Sequence, residues 1–180
     1  MRGMPIVPPA SPLTDGIVTL RPRREEDLDA IALASHDPQT QRWLDDPPMA
    51  MDEQARAAAL SRAEEAWRSG RAAPLTIADA ATDQAIGMIN LQFRGADVAA
   101  LAYSVFPAHR GQGIAPRAVR LVADWAFGDL GLAKLLLESD EANAASKRVA
   151  EKCGFQPIGT TSQAGPDGVE RTRIVFSRDH

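Results

Sequence analysis

Residues 103–115 constrain the fold of this chain more than any other stretch, because they combine a strand, a tight turn and the start of a helix. Residues 99–106 are apolar and end at Pro107, which is typical of a strand that leaves a sheet. From Ala115 onward the apolar residues recur at helical spacing, at Ala115, Ala118, Val119, Val122 and Ala126. The stretch therefore predicts an α/β unit built around one loop.

The turn itself reads Arg110-Gly111-Gln112-Gly113. Two glycines allow the backbone to turn tightly and to approach a ligand closely. The free N–H groups of the first helical turn then point at that ligand, and the helix dipole favours an anion. The turn predicts a phosphate-binding loop, with the alternative that the glycines only connect the strand to the helix.

Two common phosphate loops do not match this turn. The P-loop requires a Gly-Lys-Ser/Thr ending, and the dinucleotide fingerprint requires a third glycine. The spacing Arg110-x-x-Gly113-x-Ala115 instead resembles the Arg/Gln-x-x-Gly-x-Gly/Ala loop of the GNAT superfamily of N-acetyltransferases, which binds the pyrophosphate of acetyl-CoA. The resemblance implies that backbone amides hold the pyrophosphate while Arg110 adds charge, the amides being those of Gly111, Gln112, Gly113, Ile114 and Ala115.

Two further segments resemble one GNAT branch, the ribosomal-protein alanine N-acetyltransferases. The first is residues 20–28, where a strand ending in Leu-Arg-Pro leads into an Asp-containing helix start. The second is the run Asn143-x-x-Ser146-x-x-Val149-x-x-x-Cys153-Gly154-Phe155, similar to the fourth helix of that branch. Together with the loop, the resemblance covers residues 17–177.

The second segment and the strand before the loop carry the implied contacts to acetyl-CoA. By resemblance, backbone amides near Val105 and Phe106 contact the thioester and the pantetheine arm, and Asn143 hydrogen-bonds that arm. Ser146 stands where the branch places a serine beside the thiol as a proton donor. Each assignment has a plain alternative: ladder pairing for the strand, a helix cap for Asn143, an exposed helix serine for Ser146. Many other GNAT enzymes carry a tyrosine acid four residues further on, where this chain has Ala150.

The fold class expected is α/β with a mixed sheet. Three strand candidates joined by short turns, at residues 75–79, 86–93 and 98–106, predict an antiparallel meander. The strand–helix–strand unit that follows predicts that residues 98–106 and 135–139 run parallel and diverge at their C-terminal ends. We expect a GNAT-like fold of six or seven strands, mostly antiparallel, with about four helices and one parallel pair splayed around the cofactor.

We predict a single N-acetyltransferase domain over residues 13–180, preceded by a flexible lead-in at residues 1–12. Residues 37–50 are interpreted as a loop. Its apolar and acidic residues either line a pocket for a cationic amine or cap the core, these being Trp43, Leu44, Asp45 and Asp46.

Composition narrows the possible partners. The net charge is −4 without a basic run, and no segment approaches the ~20 apolar residues of a membrane span, so neither a nucleic acid nor a membrane partner is expected. The single cysteine, Cys153, excludes an internal disulfide and fits a reducing compartment, so we expect a cytoplasmic protein. The oligomeric state expected is a monomer or a homodimer. No metal site is expected.

The chemistry implied is direct attack of an amine on the thioester in a ternary complex, since no Gly-x-Ser-x-Gly elbow is present for covalent catalysis. The acceptor is a protein N-terminus or a small amine. The general base is open between a chain of water molecules and four side chains, His109, Glu138, Glu141 and Glu170. Two alternatives remain: an acetyltransferase for aminoglycosides or other small molecules, and a non-catalytic acyl-CoA-binding module.

Overall fold

The computed structural model describes residues 4–44, 47–165 and 167–180. These residues form one eight-stranded sheet in the order β1-β2-β3-β4-β5-β6-β8-β7. Neighbouring strands are antiparallel except for the parallel pair β5 and β6. The strands are β1 Leu13–Thr14, β2 Val18–Pro22, β3 Ala72–Asp79, β4 Ala85–Phe93, β5 Val98–Val105, β6 Lys134–Asp140, β7 Gln156–Ala164 and β8 Glu170–Asp179. The mixed sheet is confirmed, and its count exceeds the prediction by the two-residue β1, which is too short to show alternation.

Five α-helices lie in the described part of the chain, where about four were expected. They are α1 Leu28–Ser35, α2 Pro38–Trp43, α3 Glu53–Arg68, α4 Ile114–Gly128 and α5 Ala144–Lys152. The additional helix is α2, in the segment interpreted as a loop. It begins with a cap, because the Asp37 carboxylate accepts from the Thr40 amide and Pro38 occupies the first turn. None of the helices in the described ranges is long and apolar enough to cross a membrane.

The sheet is covered on both faces. On β3, Ala73, Leu75 and Ile77 join the main core cluster together with the apolar side of α4. Ala72 and Pro74, which alternate with these residues along the strand, face a cavity beside α3. The N-terminal segment also contributes, since Ile6 is buried and its amide donates to the Trp67 carbonyl at 2.9 Å. Sequence reasoning missed this contact, because one apolar residue among prolines has no periodicity.

The parallel pair separates as predicted. Residues 98–101 of β5 pair with residues 134–137 of β6, and the pairing ends at Leu101 and Leu137. Both strands continue beyond that point, β5 to Val105 and β6 to Asp140. Two neighbouring strands therefore part at their C-terminal ends and leave an opening in the sheet, with α4 starting after one strand and α5 after the other.

A buried ion pair fixes the start of α1 to the sheet. The Arg21 guanidinium, 3 % exposed, donates to both oxygens of Asp27 at 2.8 and 3.0 Å. The Asp27 carboxylate also accepts from the Thr76 hydroxyl and the Arg24 amide. Burial alone raises the pKa of Asp27, but these hydrogen bonds, led by that of Arg21, hold the pKa below its usual value.

Asp27→Asn is expected to lower the free energy of unfolding by about 1.5–3 kcal/mol, because the buried Arg21 loses its bidentate carboxylate and keeps only Asp83, which is about half exposed, as a charged partner. Since the folded state depresses the pKa of Asp27, its contribution is present above about pH 4 and is lost as pH falls through the folded pKa. Urea unfolding at neutral and acidic pH measures both effects. Asp29→Asn is the control, because Asp29 pairs with Arg56 at the surface and should cost less than about 1 kcal/mol. An equal, small loss for both variants would contradict the prediction.

Candidate active site

The opening between β5 and β6 presents unpaired backbone amides. The Phe106 amide donates to the Ile86 carbonyl at 2.9 Å, on the β4 side. Successive amides of a strand point to opposite edges, so those of Tyr103 and Val105 point toward β6, beyond the last paired residues. Of the two residues predicted here, Val105 thus offers its amide to the opening, whereas the amide of Phe106 is occupied and its ring is buried.

The glycine loop between β5 and α4 has the geometry of an anion site. Gly111 and Gly113 have φ angles of 73° and 74°, in the left-handed region that favours glycine. Within the residues the structure describes, the amides of Gly111, Gln112 and Gly113 have no backbone partner, and Gly113 is the N-cap of α4 without a side-chain cap. The amides of Ile114 and Ala115, in the first turn of α4, point out of the N-terminal end of the helix and have no partner within it. The loop therefore offers several N–H groups to one anion.

Arg110 connects the glycine loop to α2. Its guanidinium donates to the Asp37 carboxylate at 2.9 Å, the Thr40 hydroxyl at 2.9 Å and the Val105 carbonyl at 3.2 Å. A bond to Gln39 completes the set. The Thr40 amide and the Arg110 guanidinium together hold the pKa of Asp37 below its usual value. Arg110 thus fastens α2 over the loop with its charge balanced by Asp37, and its contact with a pyrophosphate stays a prediction.

The start of α5 brings the two predicted polar residues beside a tyrosine. The Asn143 side-chain oxygen accepts from the Ser146 amide at 3.1 Å, so Asn143 caps the helix and keeps its NH₂ group for another partner. The Ser146 hydroxyl oxygen accepts from the Tyr103 hydroxyl at 3.2 Å. Burial raises the pKa of Tyr103 to about 12, although the bond to Ser146 opposes the shift. The phenol is therefore neutral at physiological pH, and Ser146 keeps its own hydrogen for a further acceptor.

Sequence reasoning missed Tyr103. A tyrosine was considered only on the helix, at the position of Ala150. In the structure the tyrosine hydroxyl comes from β5, on the other side of the opening. One signal was available, because Tyr103 is the chain's single tyrosine and lies next to the glycine loop.

A cavity of about 500 Å³ joins these parts. It brings together most of the predicted site residues, namely Val105, Arg110, Gly111, Gly113, Ile114, Ala115, Asn143 and Ser146. Phe106 and Gln112 are not among its lining residues. Of the predicted bases, His109 and Glu138 line the cavity, whereas Glu141 and Glu170 do not.

A second cavity, of about 1050 Å³, lies on the other face of the sheet between α1, α3 and strands β3 to β5. The two cavities share part of β5, including Tyr103 and Ser104. A molecule bound in one cavity would therefore meet a molecule bound in the other at this strand. Of the four residues expected either to line a pocket or to cap the core, Trp43 lines the first cavity and Leu44 lines both. Asp45 and Asp46 lie outside the described residues.

Two further observations concern metal-ligating side chains and the cysteine. No cluster of three or more metal-ligating side chains occurs among the described residues. Cys153 is buried, and burial raises the pKa of its thiol, which disfavours a nucleophilic thiolate.

Comparison with known proteins gives one family and many structures of the same fold. The acetyltransferase (GNAT) domain model matches residues 18–156. The probable N-acetyltransferase YjcK of Bacillus subtilis is 41% identical over 83 residues, which are 44% of this chain and 46% of that protein, so the match spans about half the relative's length.

Two solved structures align over nearly the whole chain. Mycobacterium smegmatis RimJ in complex with CoA-disulfide has a TM-score of 0.79 at 24% identity, covering 94% of this chain and 86% of that one. A ribosomal-protein alanine acetyltransferase from Vibrio fischeri has a TM-score of 0.79 at 18% identity, covering 94% and 96%. At these identities the structures establish the fold.

Proposed function

This chain belongs to the GNAT acetyltransferase family, and from that membership we propose that it transfers an acetyl group from acetyl-CoA to a primary amine. The acceptor is a small amine or a protein N-terminus, and the reaction proceeds in a ternary complex. One observation carries the proposal: two cavities meet at β5, and the Tyr103–Ser146 pair stands at their junction.

Acetyl-CoA is the co-substrate of the family and supplies an activated acyl group as a thioester. The residues on the 500 Å³ side fit this molecule. The loop amides from Gly111 to Ala115 suit the pyrophosphate, and the Val105 amide suits an oxygen in the opening. The NH₂ group of Asn143 suits a carbonyl of the pantetheine arm.

The transfer forms one bond and breaks one. The nitrogen of the neutral amine bonds to the thioester carbonyl carbon, and the carbon–sulfur bond breaks. The nitrogen passes one proton to water and the departing sulfur takes up one proton, so the products are the acetylated amine and the CoA thiol. In our proposal the Val105 amide donates to the oxygen on which negative charge develops. The Ser146 hydroxyl donates to the departing sulfur, while the Tyr103 hydroxyl donates to the Ser146 oxygen and orients it.

Deprotonation of the amine follows from the charge of the second cavity. Its described lining residues include four arginines and no carboxylate, while Asp45 and Asp46, between the lining residues Leu44 and Pro47, lie outside the described residues. Positive charges nearby disfavour an ammonium and lower its pKa. The cavity thereby favours the neutral amine, which is the form that attacks.

The alternatives receive less support. An aminoglycoside carries several positive charges, which the arginines of the second cavity would repel. A non-catalytic acyl-CoA-binding module requires neither a hydroxyl pair nor a second cavity beside the cofactor. Small amines of other charge and protein N-termini both remain within the proposal.

A turnover assay tests the proposed function. We expect CoA release from acetyl-CoA to depend on an added amine, in a panel of small amino acids, N-terminal peptides and aminoglycosides, with the aminoglycosides slowest. Mutual dependence of the two substrates in initial-velocity patterns indicates a ternary complex. Acetyl-CoA binding without amine-dependent release for any class would support the binding module and contradict the proposal.

We also propose the cytoplasm as the compartment. The single cysteine is buried, which fits a reducing environment. A monomer and a homodimer are both compatible with the site, because every residue used above belongs to one chain.

A further inference from the structure

The second cavity is lined by an unusual set of polar side chains. It contains four arginines, Arg23, Arg62, Arg71 and Arg94, and no aspartate or glutamate among its described lining residues. None of these arginines forms an ion pair within the described ranges. The chain as a whole is acidic, with a net charge of −4, so the cationic cavity is a local arrangement.

Arg23 is the most confined of the four. Its Nε atom is buried without a hydrogen-bond partner in the described structure, and one terminal nitrogen contacts the Met88 sulfur at 3.4 Å. Burial lowers the pKa of Arg23; the negative charge of Asp27 opposes this shift, and the positive charge of Arg62 adds to it. Arginine nevertheless stays charged in proteins. The nearby carboxylate of Asp27 is already bonded to Arg21.

Arg23 is partly exposed, but its Nε atom is buried, and a buried donor without an acceptor is costly. Such a group is explained when a ligand supplies the missing partner. The fork of a guanidinium matches the two oxygens of a carboxylate, and that pairing is strong because both groups are charged.

Asn90 adds a second unsatisfied atom in the same cavity. Its Oδ1 is buried without a partner in the described structure. Asn90 lies two residues from Met88 on β4, so both side chains point to the face that bears the cavity. A ligand that carries an anionic oxygen and an N–H group would satisfy Arg23 and Asn90 together.

We propose that the acetyl acceptor is an amine that also carries a carboxylate, and that Arg23 binds this carboxylate with support from Arg62. This inference rests on the proposed function and names the class of its acceptor. Asn90 accepts an N–H of the same molecule. The carboxylate belongs either to a small amino acid or to an acidic residue near a peptide N-terminus, and the experiment separates these sources.

The position of Arg23 fits a short acceptor. Met88, which Arg23 contacts, pairs with Ser104 across β4 and β5. Neighbouring strands are about 5 Å apart, so the anion site lies one strand from the junction where the two cavities meet. A few bonds between the amine and the carboxylate span that distance.

The test compares amines that differ only in the second group. β-Alanine carries a carboxylate, ethanolamine a hydroxyl and 2-aminoethyl phosphate a phosphate. Two peptides, Ala-Glu-Ala amide and Ala-Gln-Ala amide, form the peptide arm. We expect kcat/KM for the carboxylate member of one arm to exceed that of its neutral partner by about 10- to 100-fold, as for a hydrogen bond to a charged group. Arg23→Gln should reduce this ratio to about one.

Arg56→Gln is the matched control, because Arg56 lies on α3 outside the cavity and pairs with Asp29. It should keep the wild-type preference, and unchanged acetyl-CoA affinity shows that each variant is folded. A preference in the β-alanine arm identifies a small amino acid, and one in the peptide arm an acidic N-terminus. Equal kcat/KM within both arms, a stronger preference for the phosphate, or a preference that survives in Arg23→Gln would overturn the inference while leaving the proposed function intact.

A binding measurement covers failure of the proposed function itself. If no amine is acetylated, calorimetry with CoA and either N-acetyl-β-alanine or N-acetyl-Ala-Glu-Ala amide still tests the anion site. Binding to the wild type that Arg23→Gln weakens about 10-fold or more supports the site. Failure of both carboxylates to bind, or equal binding by both proteins, refutes it.

Discussion

Gly113→Glu is expected to abolish measurable binding of acetyl-CoA. Gly113 is exposed, has a φ angle of 74° and is the N-cap of α4. Glutamate there places a negative charge among the amides that we assign to the pyrophosphate, and it occupies the space of the anion. It also strains the backbone, because side chains rarely adopt this conformation. Titration calorimetry with acetyl-CoA measures the loss.

Two controls separate charge from strain. Gly131→Glu places the same side chain on an exposed glycine with a φ angle of 63°, in the connection between α4 and β6. It should bind acetyl-CoA like the wild type. Gly113→Ala adds strain without charge and should weaken binding by no more than about 10-fold. Unchanged affinity in Gly113→Glu would show that the loop does not hold the pyrophosphate.

Ser146→Ala is expected to lower kcat by about 10- to 1000-fold, around the usual contribution of a general acid. The KM for acetyl-CoA should change little, because the ground-state thioester gains little from this hydrogen bond. Asn143→Ala should instead act mainly on binding and raise the KM for acetyl-CoA. It should also loosen α5, because the Asn143 oxygen caps the Ser146 amide.

Variants of Tyr103 test whether the tyrosine acts through Ser146 or directly on the sulfur. If it only orients Ser146, Tyr103→Phe should lower kcat less than Ser146→Ala, and the double variant should resemble Ser146→Ala. A further large drop in the double variant would show that the tyrosine hydroxyl itself reaches the sulfur. Because the pKa of Tyr103 is about 12 in the ligand-free protein, kcat/KM should show no basic limb from this phenol below about pH 11.

Ser146→Thr keeps the hydroxyl and should restore much of the rate. The comparison requires that chemistry limits turnover, which a viscosity series with sucrose establishes. A Ser146→Ala enzyme with the wild-type kcat under that condition would reduce Ser146 to a residue of the helix surface.

The features that the sequence predicted well are local. The glycine loop, the apolar stripe of α4 and the cap of α5 each depend on a few neighbouring residues. The divergence of β5 and β6 followed from the order strand, helix, strand, because a parallel pair needs a crossover. Helix α2 was missed because six residues are too few for a helical period, although Asp37 followed by Pro38 is a recognisable start.

The features that the sequence did not predict depend on distant contacts. Tyr103 and Ser146 are 43 positions apart, and only the separation of the two strands brings their hydroxyls together. The bond between Arg110 and Asp37, 73 positions away, was likewise not predicted, because the loop motif carries no information about distant partners. The arginines of the second cavity come from α3 and from the connections that follow β2, α3 and β4, without forming a basic run.

Mass spectrometry of quenched reactions tests the central claim most directly. The enzyme is incubated with acetyl-CoA alone and with acetyl-CoA plus an amine. We predict that the enzyme mass stays unchanged in both reactions, and that one acetylated amine forms for each CoA released. Absence of an acetylated amine from every acceptor class, or an acetyl group carried by the enzyme on the way to the amine, would contradict direct transfer in a ternary complex.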